Sequence, residues 1–148
     1  ILKCEKFIKD KFFLVLLPDD LIIKKKCTKE MINLHNKKKS SIIATKQVDK
    51  KTVSRWGILS IKNKSKNYFQ INDVVEKPSI KKAPSNFAII GRYILDSKIF
   101  NEINRSLCIF PLYKSSLTFI FCLNFINASV FFSFTMNYNV LIIGHAEY

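Results

Sequence analysis

The stretch FFLVLLPDDLI, residues 12–22, decides how this chain is read. Residues 12–17 are apolar without interruption, and Pro18 ends the run. A strand with one wet face alternates polar and apolar positions. An unbroken apolar run stopped by proline instead predicts a short strand covered on both faces, as in the middle of an α/β sheet. Asp19 and Asp20 follow at once. Ligands of open α/β sheets gather beyond the carboxyl ends of strands. A carboxylate pair there can hold Mg²⁺, which prefers one or two carboxylates together with phosphate and water. A turn with an Asx cap uses the same residues, and on this motif alone the turn is the simpler reading.

Outward from this strand, helices and strands alternate. Thr28 is placed to cap a helix whose Met31, Ile32, Leu34 and His35 share one side, and lysines 37–39 suit its C-terminal dipole. Residues 41–45 (SIIAT) read as the next strand. Residues 56–61 and 68–75 read as two more, separated by the polar turn KNKSKN. Residues 88–95 form a further strand, after which Asp96 or Ser97 caps a short helix through Glu102. The expected class is α/β, with a mostly parallel, doubly wound sheet.

Composition divides the chain near residue 104. Of 25 basic residues only Arg105 and Lys114 lie beyond residue 103, and of 11 acidic residues only Glu147. Residues 115–146 carry no charge, and three readings of 104–148 stand open. The favoured one is shifted-frame sequence, since an A+T-rich gene read out of frame yields Phe, Ile, Leu, Asn, Ser and Tyr. A membrane segment over 117–136 has the right length, but Asn124, Asn127, Ser129, Ser133 and Thr135 dilute it and no aromatic or basic flank anchors it. A lineage-specific domain is the third. The expected domains are therefore 1–103 and an aberrant apolar tail, 104–148.

The net charge of +14 admits a nucleic-acid partner. Against it, only three basic residues are Arg (Arg55, Arg92, Arg105), and the lysines come in solvated runs without interleaved aromatics. No nucleic acid and no membrane are expected as partners. Cys4, Cys27, Cys108 and Cys122 form no Cys-x-x-Cys pair and have no His at ligand spacing, which argues against zinc. With no secretory signal at the start, reduced thiols in a cytoplasm are expected. His35 and His145 read as structural or incidental.

Two further motifs stand at strand ends. Val75-Glu76-Lys77-Pro78 sets a carboxylate able to accept hydroxyls beside an ammonium able to hold phosphate, although Glu-Lys before Pro is also a common strand exit. Ala83-Pro84-Ser85-Asn86 shapes a loop before Ala88-Ile89-Ile90-Gly91-Arg92-Tyr93, where Gly91 allows a close backbone approach.

Taken in order, FFLVLLPDDLI (12–22), VSRWGIL (53–59), DVVEKP (73–78) and APSNFAIIGRYIL (83–95) resemble four successive motifs of bacterial UTP–glucose-1-phosphate uridylyltransferases, the UDP-glucose pyrophosphorylases. The resemblance covers residues 1 to about 103. It implies a Rossmann-like α/β/α sandwich and Mg²⁺-dependent synthesis of UDP-glucose and pyrophosphate from UTP and glucose 1-phosphate. It implies Asp19 as a metal ligand, with Asp20 a lesser candidate. Gly57 would bind the sugar through its backbone, Glu76 would accept glucose hydroxyls and Lys77 would hold the sugar phosphate. Asn86 and Ile89 would line the glucose pocket. Trp56 stands where the family usually has Tyr. No covalent catalytic residue is implied, and intact family enzymes are homo-oligomers.

Two family motifs are absent. The sequence holds neither the nucleotide-binding Gly-x-Gly-Thr-Arg loop with its Pro-Lys-Glu segment nor, beyond Asn104, the Gly-Glu-Ile-Gln-Leu-Thr-Asp segment that gives the second metal ligand; it reads SLCIFPLYKSS instead. The start at Ile1 fits entry just before the Asp19 strand. The expectation is a truncated central fragment without the N-terminal nucleotide-binding strands, inactive alone. Rival readings are a remnant of a decaying gene, a basic binding protein, and a membrane-anchored protein using the tail.

Overall fold

The computed structural model describes residues 2–18, 22, 26–65, 68–109 and 140–144. The apolar run becomes strand β1 (Phe12–Leu16), but it lies at an edge of the sheet and is not covered on both faces, with Leu14 and Leu16 41% and 53% exposed. Helix α1 (Cys27–Lys38) and strand β2 (Ser41–Gln47) follow. Strands β3 (Gly57–Lys64) and β4 (Phe69–Glu76) form a hairpin, because the turn between them is too short to carry a parallel crossover. Strand β5 (Phe87–Asp96) leads into helix α2 (Ile99–Ile109), and β6 spans Val140–Gly144.

Among the described residues these strands make one sheet, in the order β1-β5-β2-β6-β4-β3. The sheet is mixed and largely antiparallel, not mostly parallel. The single parallel pairing is β2 with β6. The remaining neighbours pair antiparallel, including β5 with both β1 and β2. The cause is an inserted strand. α1 returns the chain so that β1 and β2 run the same way, as alternation predicts, but β5 enters between them in the opposite direction.

Side-chain alternation assigns one helix to each face. Ile42 and Ala44 of β2, with Ile90 and Ile94 of β5, close over Cys27 and Met31 of α1. The intervening Ile43 and Leu95 face the other way, with Leu59, Ile71 and Ile99 of α2. Phe100 of α2 lies nearly parallel to Phe13 of β1, with ring centroids 5.2 Å apart. A third, smaller cluster of Val53, Ile58 and Ala88 takes in Trp56 and Ala83. It is supported by a 3-10 turn, Lys50–Arg55, whose start is capped by Asp49 accepting from the Lys51 N–H at 2.9 Å.

Several expected details change. α1 begins at Cys27, so Thr28 lies inside it. Its N-cap is Lys26, which makes no side-chain cap bond, while the Thr28 hydroxyl accepts from Arg92 Nη1 at 2.7 Å. Ile32 is 42% exposed and falls off the packed face. His35 is structural: its ring meets Phe12 edge-on at 4.5 Å, and Nδ1 bonds the Ser40 carbonyl oxygen. Asp96 acts before α2 by accepting from the Lys98 N–H at 2.9 Å, and the helix runs on through residue 104 to Ile109. Within the apolar tail, β6 is seated between β2 and β4. The segment 117–136 and His145 lie outside the described residues. Among the described residues no helix is long and apolar enough to cross a membrane.

Candidate sugar-phosphate site

One end of the sheet collects the chemistry-bearing residues. Gly57 opens β3, Glu76 closes β4, and the two are direct partners in the antiparallel ladder. That register sets the Glu76 side chain against the bare Cα of Gly57. A Cβ on Gly57 would lie 3.1 Å from Glu76 Oε2 and 3.6 Å from Ile89 Cδ1. Gly57 has no positive φ; what its missing side chain provides is space for a carboxylate. Gly57, Glu76 and Ile89 thus converge, although they are scattered in sequence.

Lys77 follows Glu76 in an unusual backbone state. Its φ is 45°, in the left-handed region that costs a side-chain-bearing residue about 1 kcal/mol or more. Its N–H donates to the Trp56 carbonyl at 3.0 Å, which ties the exit of β4 to the entry of β3. Trp56 is held in turn by the Lys46 ammonium 3.7 Å above its ring. The Lys77 ammonium lies 3.9 Å from Glu76 Oε1, with the two side chains 57% and 39% exposed. So loose a pair adds little stability and leaves both groups accessible to a ligand.

Asn86 keeps a different set of partners. Its side-chain amide donates to the Val48 carbonyl at 3.2 Å, and its own carbonyl accepts from the Val48 N–H at 2.9 Å. It fastens the 83–86 loop to the end of β2 and lines a cavity of about 220 Å³ with Lys50, Val53 and Pro84. Ser85, which the sequence reading passed over, locks the same loop by donating to the Leu59 carbonyl at 2.6 Å and accepting from the Phe87 N–H. The bonds that fix Lys77 and the loop run largely through main-chain groups, for which residue type gives no signal.

Asp19 and Asp20 lie outside the described residues. The backbone that leads to them is described: Leu17 N–H donates to the Gly91 carbonyl at 2.8 Å, beyond the Leu16–Arg92 pairing and towards Ile89. Among the described residues no cluster of three or more His, Cys, Asp or Glu could hold a metal. Cys4 and Cys27 are free thiols. Burial pushes the Cys27 thiol above its ordinary pKa, with Arg92 opposing and Glu30 reinforcing the shift.

This arrangement can be set beside known proteins. Residues 1–118 match the nucleotidyl transferase family model. The UTP–glucose-1-phosphate uridylyltransferase of Pseudomonas aeruginosa is 37% identical over 109 residues, 72% of this chain and 39% of that protein. Enzyme 1 of that name from Staphylococcus saprophyticus is 38% identical over 101 residues, 68% of this chain and 35% of its own length. The crystal structure of apo UDP-glucose pyrophosphorylase superimposes with a TM-score of 0.79 at 28% identity, covering 97% of this chain and 50% of that one. A UDP-glucose pyrophosphorylase complexed with UDP-glucose gives 0.78 at 29% identity, covering 97% and 52%. The chain spans less than two-fifths of these curated relatives and about half of these structures. On sequence and fold alike, the chain belongs to the nucleotidyl transferase family.

Proposed function

We propose that this chain carries the sugar-phosphate side of a uridylyl transfer site, serving the reaction of UTP with glucose 1-phosphate to give UDP-glucose and pyrophosphate. The observation that carries the reading is the cross-strand fit of Glu76 against Gly57, beside the accessible Lys77 ammonium. Glu76 accepts hydroxyls of the glucose, and the Gly57 backbone lies against the ring where no side chain intrudes. Lys77 holds the phosphate, with Asn86 and Ile89 shaping the pocket wall. These groups orient an oxygen of glucose 1-phosphate for in-line attack on the α-phosphorus of UTP. Such chemistry depends on position and charge and needs no covalent residue.

Asp19 is the proposed Mg²⁺ ligand. It fits by donor type, because a carboxylate with phosphate oxygens and water makes a shell that Mg²⁺ accepts, and the metal's contribution there is to neutralise phosphate charge. The direction of the chain at Leu17 supports its approach to the same rim. The same reading takes 1–103 as the sugar-binding part and 104–148 as an aberrant apolar tail, which the end of α2 and strand β6 join to the rest of the chain. It places the work in a cytoplasm and in a homo-oligomer.

The sequence contains no Gly-x-Gly-Thr-Arg loop, so a polypeptide of these residues alone has nothing to hold UTP in line. The expected result is no pyrophosphate release from UTP and glucose 1-phosphate, with or without Mg²⁺. Saturation-transfer NMR with UDP-glucose tests the binding role separately. Glucose-ring protons should receive saturation from the wild-type chain and lose it in Glu76→Ala. Transfer that is absent, or unchanged in Glu76→Ala, overturns the assignment.

A further inference from the structure

The opposite end of the sheet holds a second polar cavity, of about 430 Å³, lined by Lys38, Ser40, Asn63, Lys64, Ser65, Tyr68 and Gln70. Its volume is within the range typical of small-molecule sites. It lies where α1 ends, β2 begins, and the β3–β4 hairpin turns. The register separates it from the Gly57–Glu76 end, since the hairpin runs from Gly57↔Glu76 to Lys64↔Phe69. We propose that this cavity is a binding site for a small phosphomonoester.

Charge is the first argument. Among the described residues two ammonium groups line the cavity and no carboxylate does. The cavity is an open concavity in which Lys38 and Lys64 are exposed, and a concave patch of one charge sign draws an anion more strongly than the same lysines would on a flat surface. Donor content is the second: the two ammonium groups, the Tyr68 hydroxyl and the Asn63 amide, of which one N–H goes to Gln70, offer N–H and O–H groups of the kind phosphate oxygens accept. The α1 C-terminus would ordinarily repel an anion, but two of its last carbonyls are engaged. The Lys39 N–H donates to the His35 carbonyl, and the Ser40 hydroxyl donates to that of Lys38. Tyr68 registers the local potential, because hydrogen bonds with Lys38 and then Ser65 pull its phenol below the ordinary pKa. A group that gives up its proton early marks a place where negative charge is welcome.

The test uses the full chain and three soluble probes: glycerol 3-phosphate, inorganic phosphate and, as the uncharged control, glycerol. Calorimetry should show saturation by glycerol 3-phosphate and phosphate at millimolar levels and none by glycerol. Lys38→Gln and Lys64→Gln should each weaken binding about tenfold, the effect of losing one charge-assisted bond. Lys3→Gln, in the 3-10 turn Leu2–Phe7 and outside both sites, should leave it unchanged. Ultraviolet titration gives an independent readout: bound phosphate should raise the ionisation pH of one tyrosine, and that change should vanish in Tyr68→Phe. Phosphatidic acid vesicles separate a free phosphoester from a lipid headgroup, and binding to vesicles alone overturns the proposal. So does saturation by no soluble phosphate, or a loss caused equally by Lys3→Gln. The UDP-glucose experiment with Glu76→Ala reads the proposed sugar-phosphate site by itself, so failure there and failure here are told apart.

Discussion

Replacing Gly57 with Ala tests whether the site is built as described. The new methyl would lie 3.1 Å from Glu76 Oε2, closer than ordinary van der Waals contact. Two effects oppose each other. Gly57 has no positive φ, so Ala fits the backbone and stabilises by about 0.4–1 kcal/mol through the unfolded chain. Against that, the Glu76 carboxylate must move by a few tenths of an ångström. Its side chain is 39% exposed and can swing away, so the penalty should be of the same size, about 0.5–1 kcal/mol. The net change for Gly57→Ala alone is therefore near zero. In a Glu76→Ala background the methyl meets no carboxylate and the full gain should appear, giving a coupling energy of about 0.5–1 kcal/mol. For a chain of this size that is a difference of about 1–4 °C in Tm between the two backgrounds. Thermal unfolding of the wild type, both single variants and the double variant measures it. Additive behaviour would refute the contact, and a loss of more than about 2 kcal/mol in Gly57→Ala would show that the backbone, not the carboxylate, is the obstacle.

Four further outcomes follow from the core and the backbone. Lys39 ends α1 at φ 52°, so Lys39→Gly should stabilise by about 1 kcal/mol, seen as a raised denaturant midpoint with an unchanged slope. Met31 is fully buried in the cluster under α1, and Met31→Ala should cost about 2–5 kcal/mol, measured by urea unfolding. The Cys27 thiol is raised by burial, so the folded chain holds that proton after the unfolded chain has lost it. Its contribution to stability should be intact below the ordinary thiol value of 9.0 and decline as pH rises above it. Peptide mapping after iodoacetamide treatment should find exposed Cys4 modified well before Cys27.

How much of this was legible in the sequence depends on whether the signal was local. The strand at 12–17 was readable because apolar continuity and a proline stop are properties of the segment itself, but its place at the sheet edge, with Leu14 and Leu16 exposed, was not, since that depends on which strands pair beside it. The hairpin partners and the helix of Met31 and Leu34 were readable for the same reason. The antiparallel insertion of β5 was not. FAIIGRYIL is apolar enough for a central position in either direction, and no residue in it names a neighbour. The Lys50–Arg55 turn escaped because its cap, Asp49, sits in a lysine-rich stretch that reads as loop. In the site, Glu76 and Lys77 stood out as a pair at a strand end, but their geometry did not. Register opposes Glu76 to Gly57, and a main-chain bond to Trp56 accompanies the left-handed turn of Lys77. Nothing in a lysine before a proline advertises that turn; it is disfavoured locally and settled by tertiary contacts.

The position of β5 also governs the order in which this polypeptide can assemble as it is made. Phe12 pairs with the level of Asp96, and Ile42 with Ile94, so β1 and β2 each wait on a partner encoded far downstream. At roughly 5–20 residues per second, β1 leaves the ribosome several seconds before its partner exists. During that interval two of the most apolar stretches of the nascent chain have α1 between them and no ladder to join. The hairpin of β3 and β4 is local and closes early, but it gains its seat in the sheet only when β5 and then β6 arrive. Trigger-type chaperones that shield apolar nascent strands therefore have a defined window, which opens with Phe12 and closes as Asp96 emerges.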